Sequence, residues 1–298
     1  MKSNIWTGML LAVFCSLNLS SSLVLAAAPA TEISTANKIQ SETLFSKNEL
    51  DFTFYLRIET IIQNRLYNDS GQRNLLDYLG LSVGLDAYYG RFFIESSNRF
   101  YQNSQTATLG YRLADMKNYQ LDILLGQSYM NYLDQNHGNV YREEPSEALA
   151  GIDIRGGDIN QGVRFTQFHS NKAWWIDVAG DLLTDSHGGW LVDAYFSQLY
   201  QIKNWEVQFG FGATYFSNQM VDYYSGIKAH EVTAERPLYK AGNGTRVSMD
   251  VSAQLPLSNT WIFFAGAAFK GYSAAFSDSP LYKRGHQTSL NMGVMYVW

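Results

Sequence analysis

Trp205-Glu206-Val207-Gln208-Phe209-Gly210-Phe211-Gly212-Ala213-Thr214-Tyr215 decides the fold. Every odd position is apolar, and the even positions are Glu, Gln, Gly, Gly and Thr. A period of two gathers all the apolar side chains on one face of an extended strand, whereas a helix would scatter them around its axis. Residues 247–257 repeat the pattern. Val247, Met249, Val251, Ala253, Leu255 and Leu257 alternate with Ser248, Asp250, Ser252, Gln254 and Pro256.

Working outward, the same alternation recurs along the chain. Phe52, Phe54, Leu56 and Ile58 share a face, as do Leu79, Leu81, Val83, Leu85, Ala87 and Tyr89. Phe92, Ile94 and Ser96 begin a third strand that either runs on to Leu113 or breaks near residues 102–104. Further strands are expected over 121–126, 150–155, 161–168, 174–181, 190–197, 261–272 and 287–298. The stretch Gly156-Gly157-Asp158 reads as a hairpin turn. The total is about twelve, most of them near the ~9–11 residues that a tilted membrane-spanning strand needs.

A soluble sandwich would also alternate. Two features favour a membrane. Aromatic residues sit at strand ends (Trp174, Trp190, Trp205, Tyr215, Trp261, Tyr272 and Trp298), where interfacial girdles belong. The opposite faces carry charges and glycines, as a lumen would. The chain holds 20 Tyr, 17 Phe and 7 Trp, and only 16% of its residues are charged. Beyond residue 30 no apolar run approaches the ~18 residues of a membrane helix. The fold expected is therefore all-β: a transmembrane, antiparallel, up-and-down β-barrel with membrane lipid as its surroundings. A formal net charge of −5 argues against nucleic acid as a partner.

Residues 1–30 read as a signal peptide. Lys2 is its positive region, 9–25 its apolar stretch, and cleavage is expected near 27–30. An uncleaved anchor is the competing reading, disfavoured by Ser16, Asn18 and the serines at 20–22. Cys15, the single cysteine, lies inside this segment, so disulfide and thiol chemistry are not expected of the mature chain. Residues 31–47 are polar and aperiodic, a flexible periplasmic lead-in, and the barrel domain spans 48–298. The last residues include Asn291, Gly293, Tyr296 and Trp298. This ending resembles the C-terminal signal by which the barrel-assembly machinery recognises Gram-negative outer-membrane barrels, with Trp in place of the commoner Phe.

Twelve strands put both termini in the periplasm. The connections after Ile58, Leu113, Ile154, Leu183, Tyr215 and Tyr272 then face outward, and the loop at 134–146 falls on the periplasmic side.

A charge network is expected inside the lumen: Arg57, Glu59, Asp86, Asp153, Arg164, Asp177, Asp193, Glu206 and Asp250, with Glu95, Asp122, Asp181, Arg155 and Arg246 as further members. It serves either as a selective pore lining or as a paired, hydrogen-bonded filling. The second is favoured, because buried charges need partners and a modest barrel leaves little free space. His137, His169, His187, His230 and His286 all lie in or beside turns, with no two at metal-ligand spacing. No catalytic residue, cofactor site or metal site is expected. The nearest arrangement to a hydrolytic site is His230-Glu231, with Asp222 as an acid. Tyr223, Tyr224, Tyr239 and Tyr282 either form a recognition patch or pack loops over the barrel mouth.

The stretch Asp222-Tyr223-Tyr224-Ser225-Gly226-Ile227 followed by Glu231 resembles the Tyr-Tyr-Gly-Val/Ile motif and following Glu of the MltA-interacting protein family, MipA/OmpV. Trp261 with the downstream Ser277-Asp278-Ser279-Pro280-Leu281 is similar to that family as well, as are the Asp181 to Gly189 turn and Leu76-Asp77-Tyr78. Ser225, inserted before Gly226, and Ala268, where relatives often carry Arg, are departures. The resemblance covers most of the chain after residue 76. It implies a Gram-negative outer-membrane barrel without enzymatic activity, acting as a scaffold that joins a lytic transglycosylase to a bifunctional murein synthase. A small solute channel and a surface hydrolase are the alternatives.

Overall fold

A computed structural model describes residues 50–68, 78–96, 107–131, 133, 147–183 and 186–298. The signal peptide, the lead-in, Cys15, His137 and the 134–146 loop lie outside the described residues, as do Leu76 and Asp77.

Twelve antiparallel strands close into one barrel in sequence order. They are β1 (Leu50–Gln63), β2 (Leu79–Tyr89), β3 (Phe92–Ser96), β4 (Ala107–Met116), β5 (Tyr119–Gln127) and β6 (Asn160–His169). Then come β7 (Lys172–Gly180), β8 (Trp190–Ile202), β9 (Trp205–Phe216), β10 (Gly244–Pro256), β11 (Trp261–Tyr272) and β12 (His286–Val297). β12 pairs with β1 to complete the ring, with Leu56 opposite Tyr296 and Glu59 opposite Gly293. Closure joins the last strand to the first, which is what lets a sheet stand in hydrocarbon; on its β3 side β2 is paired through Ala87, Tyr88 and Tyr89 among the described residues.

The alternation read from the sequence sets the faces. Phe209 and Phe211 of β9, Val247 and Met249 of β10, and Leu290 and Met292 of β12 are exposed on the outer wall. Thr214, Ser248 and Asp250 between them are buried inside. Aromatic side chains collect at the outer ends of strands. At one end Phe54, Trp298, Tyr296 and Trp261 form a continuous run with ring centroids 4.2–5.0 Å apart. At the other end Trp190 stands 5.5 Å from Tyr215. Tyr272 is a correction to the expected girdle. It turns inward and packs on Phe276 and Tyr282.

The strand count agrees with expectation through two compensating differences. The third strand breaks, giving β3 and β4 as separate strands, whereas 150–155 is not a strand. That segment follows a short helical turn, Glu147–Leu149, and holds a single bridge from Arg155 to Leu133. Residues 156–158 consequently make no hairpin and belong to the long β5–β6 connection. The chain after Leu113 passes directly into a tight turn between β4 and β5, not into an outward loop. The described ends of the β5–β6 connection, 128–131 and 147–159, lie at the long-loop end. Local alternation in 150–155 misled because three apolar residues at period two also suit an extended loop packed over a core.

All five short turns lie at one end of the barrel, together with the start of β1 and the finish of β12. All six longer connections lie at the other. Such asymmetry is usual for outer-membrane barrels.

Candidate functional site

The described parts of the long connections do not splay into solvent. They fold into a cap with its own apolar core, in which Tyr224, Phe216, Val221, Phe276, Leu281, Leu133 and Leu149 are completely or almost completely buried. Its centre is α1 (Asn218–Ser225), in the β9–β10 connection, which packs on α2 (Ala274–Ser277) from the β11–β12 connection. Met220 and Val221 on one side of α1 and Tyr224 one turn later point into this core.

Polar keystones pin the connections to each other. Arg155 is 1% exposed and places Nη2 2.8 Å from both carboxylate oxygens of Glu231. It also donates to Gly226 O. Glu231 accepts from the backbone N–H groups of Asp153 and Lys228. Burial alone would raise the Glu231 pKa, but the Arg155 guanidinium and these backbone donors outweigh it and hold the carboxyl below its usual range. Arg236 donates to the carbonyls of Glu231, Ala148 and Ala150. Two adjacent tyrosines clamp Gly156: its N–H donates to Tyr223 Oη, and Tyr224 Oη donates to its carbonyl. Ser279 Oγ donates to Ser225 O, and Asn68 Nδ2 donates to Pro280 O at 2.7 Å. Asp278 closes the short helix α2, with its N–H on Ala274 O. A Cβ on Gly226 would collide with Asp222 O, so the chain can turn back here only without a side chain.

These geometries separate the two readings of the loop tyrosines. Tyr224 and Tyr282 are buried cap residues, and Tyr223 and Tyr239 pack against the same core. His187 is also buried here, its ring 6.1 Å from that of Tyr224.

Beneath the cap the lumen is filled. Arg164 forms a two-pronged pair with Asp177 at 2.7 and 2.8 Å, and Tyr129 descends from the cap to donate to Asp177 at 2.8 Å. Arg112 pairs with Asp122 at 2.8 Å and approaches Glu95 at 3.7 Å. Tyr195 donates to Asp250, with Trp175 4.7 Å away by ring centroids. Thr214 donates to Asp193, and Arg246 reaches from the wall to Tyr129 O. Asp177 and Asp193 are 0% exposed, held away from water by these partners. Toward the short-turn end Tyr55 donates to Asp86, Asn291 donates to Glu59, and Arg57 donates to Met295 Sδ. Ile262, Phe264 and Met295 form an apolar cluster on the inner wall there. Glu206 is half-buried in the same half of the barrel.

Several expected residues are thus met by hydroxyls and amides rather than by opposite charges. Asp153 is a clear correction. It stands in the β5–β6 connection, not in the lumen, and is 40% exposed by its side chain. Lys228 Nζ lies 2.7 Å from it and His230 Nε2 2.9 Å. Lys228 first, and His230 after it, lower its pKa to about 2. Arg155 and Asp181 likewise belong to the cap. Asp181 accepts from Ser186 and Gly188 and so shapes the β7–β8 connection.

The acid beside His230 is Asp153, not Asp222, which instead accepts from the N–H of Ala241. Asp153, His230 and Glu231 bring potential ligand atoms within 4.8 Å of one another. They do not suit a metal ion: Lys228 already neutralises Asp153, and Arg155 with two backbone donors saturates Glu231.

Sequence reading missed Arg112, Tyr129, Tyr195, Asp158 and Arg236. Asp158 is buried and accepts from the N–H groups of Tyr129 and Met130 and from Ser128 Oγ. Burial raises its pKa against those donors. Arg112 was recoverable, since it lies on the inward face of β4 opposite Asp122. The loop residues carried no periodic signal.

A closed ring of strands, an apolar outer wall, aromatic girdles and a polar filled interior define an outer-membrane β-barrel. The chain belongs to the family of the MltA-interacting protein MipA, whose model matches residues 60–298. It is similar to outer membrane protein Omp26La of Vibrio anguillarum, 22% identical over 159 residues, which is 53% of this chain and 62% of that protein. The chain therefore matches less than two thirds of that relative's length. Solved structures similar to it include OmpT of Vibrio cholerae, at TM-score 0.34 and 8% identity, covering 84% of this chain and 97% of that one. The outer-membrane channel DcaP of Acinetobacter baumannii is similar at TM-score 0.39 and 7% identity, with 84% and 97% covered.

Proposed function

We propose that this barrel is a non-enzymatic scaffold. It holds a lytic transglycosylase, in company with a bifunctional murein synthase, at the periplasmic side of the outer membrane. The family supplies the partner class by its description, MltA-interacting protein. The observation that carries a scaffold over a conduit is the occupied lumen, in which Asp177, Asp193 and Asp122 are buried and hydrogen-bonded. The long-loop end faces outward in this reading. The short turns and both barrel termini face the periplasm, after removal of a signal peptide at 1–30, and residues 31–47 lead into the first strand there. The assembly machinery reads β12 through Asn291, Gly293, Tyr296 and Trp298 at the seam. Detergent pull-down tests the role: enrichment of murein hydrolases and synthases over an unrelated barrel is expected, and equal recovery on both would refute it.

A further inference from the structure

The outer wall is covered by side chains along most of the described strands, and a recess interrupts it near the cap. Just below the cap, Thr245 and Val247 of β10, Phe269 and Gly271 of β11, Gly285 just ahead of β12 and His286 at its start line an open groove of about 470 Å³. Its origin is local. Gly271 pairs with both Val247 and His286, so the centre of this three-strand wall carries no side chain. The flanks are apolar, and the His286 imidazole stacks on Phe269 at 6.1 Å and 21°. Lys283 and Arg284 immediately precede the groove in sequence. Both are exposed, and neither forms an ion pair among the described residues. A largely apolar slot in a lipid-facing wall, with two exposed cations one and two residues before its lining residue Gly285, matches a lipid with an acyl chain and an anionic head.

We propose that this groove binds one phosphorylated glycolipid of the outer leaflet, an acyl chain lying over Gly271 between Val247 and Phe269, and a phosphate held by Lys283 and Arg284. The leaflet rests on the orientation given above, in which the long loops face outward. Lipid A presents two phosphates at this depth, one for each cation, whereas a zwitterionic lipid offsets its single phosphate with its own ammonium group.

Native mass spectrometry of the delipidated full barrel tests it, with lipid A, phosphatidylglycerol and phosphatidylcholine added separately. One retained lipid A per barrel is expected, in preference to the other two. A Lys283→Ala/Arg284→Ala double variant should lower retention by roughly tenfold to thirtyfold, given about 1 kcal/mol per interfacial cation. Gly271→Trp, which fills the slot, should abolish the single-lipid species while the barrel keeps its heat-modifiable gel mobility. If Gly271→Trp fails to fold, the double variant still decides. Equal retention by wild type and the double variant overturns the site. Preference for phosphatidylglycerol overturns the glycolipid assignment. The scaffold reading is separate, because pull-down of cell-wall enzymes can fail while lipid A retention persists.

Discussion

Arg155 and Glu231, 76 residues apart in sequence, form a dry ion pair that joins the β5–β6 connection to the β9–β10 connection. Both side chains are almost wholly excluded from water, at 2% and 0% exposure. Removing one partner leaves the other charge buried alone, which costs about 3–5 kcal/mol. Arg155→Leu should therefore loosen the cap by about that amount. Hydrogen exchange of 218–231 should accelerate, while heat-modifiable mobility of the barrel stays as in wild type. Unchanged exchange would mean that the pair holds nothing in place.

Tyr224→Phe deletes a single hydrogen bond, to Gly156 O, and leaves the ring in its apolar slot. The expected loss is about 1 kcal/mol. Tyr224→Ala empties a fully buried site and should cost about 3–5 kcal/mol. Limited proteolysis of the β9–β10 connection ranks the two variants against wild type, and equal sensitivity in both would contradict the cavity argument.

The Asp153 cluster gives the cap an acid limit. Its folded pKa of about 2 lies below the unfolded value of about 4. A depressed carboxyl contributes stability that is complete above the unfolded value and is lost as pH falls through the folded one. Cap protection should thus decline between pH 4 and 2. The exposed setting makes the effect modest and sensitive to salt. Asp153→Asn should remove this step from the pH profile of exchange at 228–231. Persistence of the step in that variant would assign it to another carboxylate.

Wild-type barrel in planar bilayers should carry no steady current at neutral pH. Tyr195, Trp175, Tyr129 and the Arg164–Asp177 and Arg112–Asp122 pairs occupy the bore. A stable single-channel conductance would make the lumen a conduit and withdraw support from the scaffold reading.

Gly210 lies under the Tyr195 ring, and an added Cβ would strike Tyr195 Oη. Gly210→Val should expel Tyr195 from Asp250 and lower thermal stability, read as the temperature at which the folded gel band disappears. An unchanged transition would show that the bore has slack at that point.

The barrel was legible in the sequence because its two environments, lipid and lumen, alternate with the pleat. Trp205 to Tyr215 predicted its own faces residue by residue. The cap was not, because its order comes from contacts between connections far apart. Arg155 with Glu231 and Asn68 with Pro280 have no local period to betray them. Asp153 illustrates the difference: alternation with Ile152 and Ile154 placed it in the lumen, but the packing of Lys228 and His230 placed it on the cap surface. The family motif pointed to Tyr223, Tyr224, Gly226 and Glu231, and the structure gives each a mechanical task in the cap.

The cap draws its keystones from connections that meet only when every intervening strand has taken its neighbour. Resistance of the cap to protease is therefore expected to report ring closure. A half-inserted chain would display the same loop sequences unassembled, so anything that grips the ordered cap discriminates finished molecules from stalled ones without touching the wall at all.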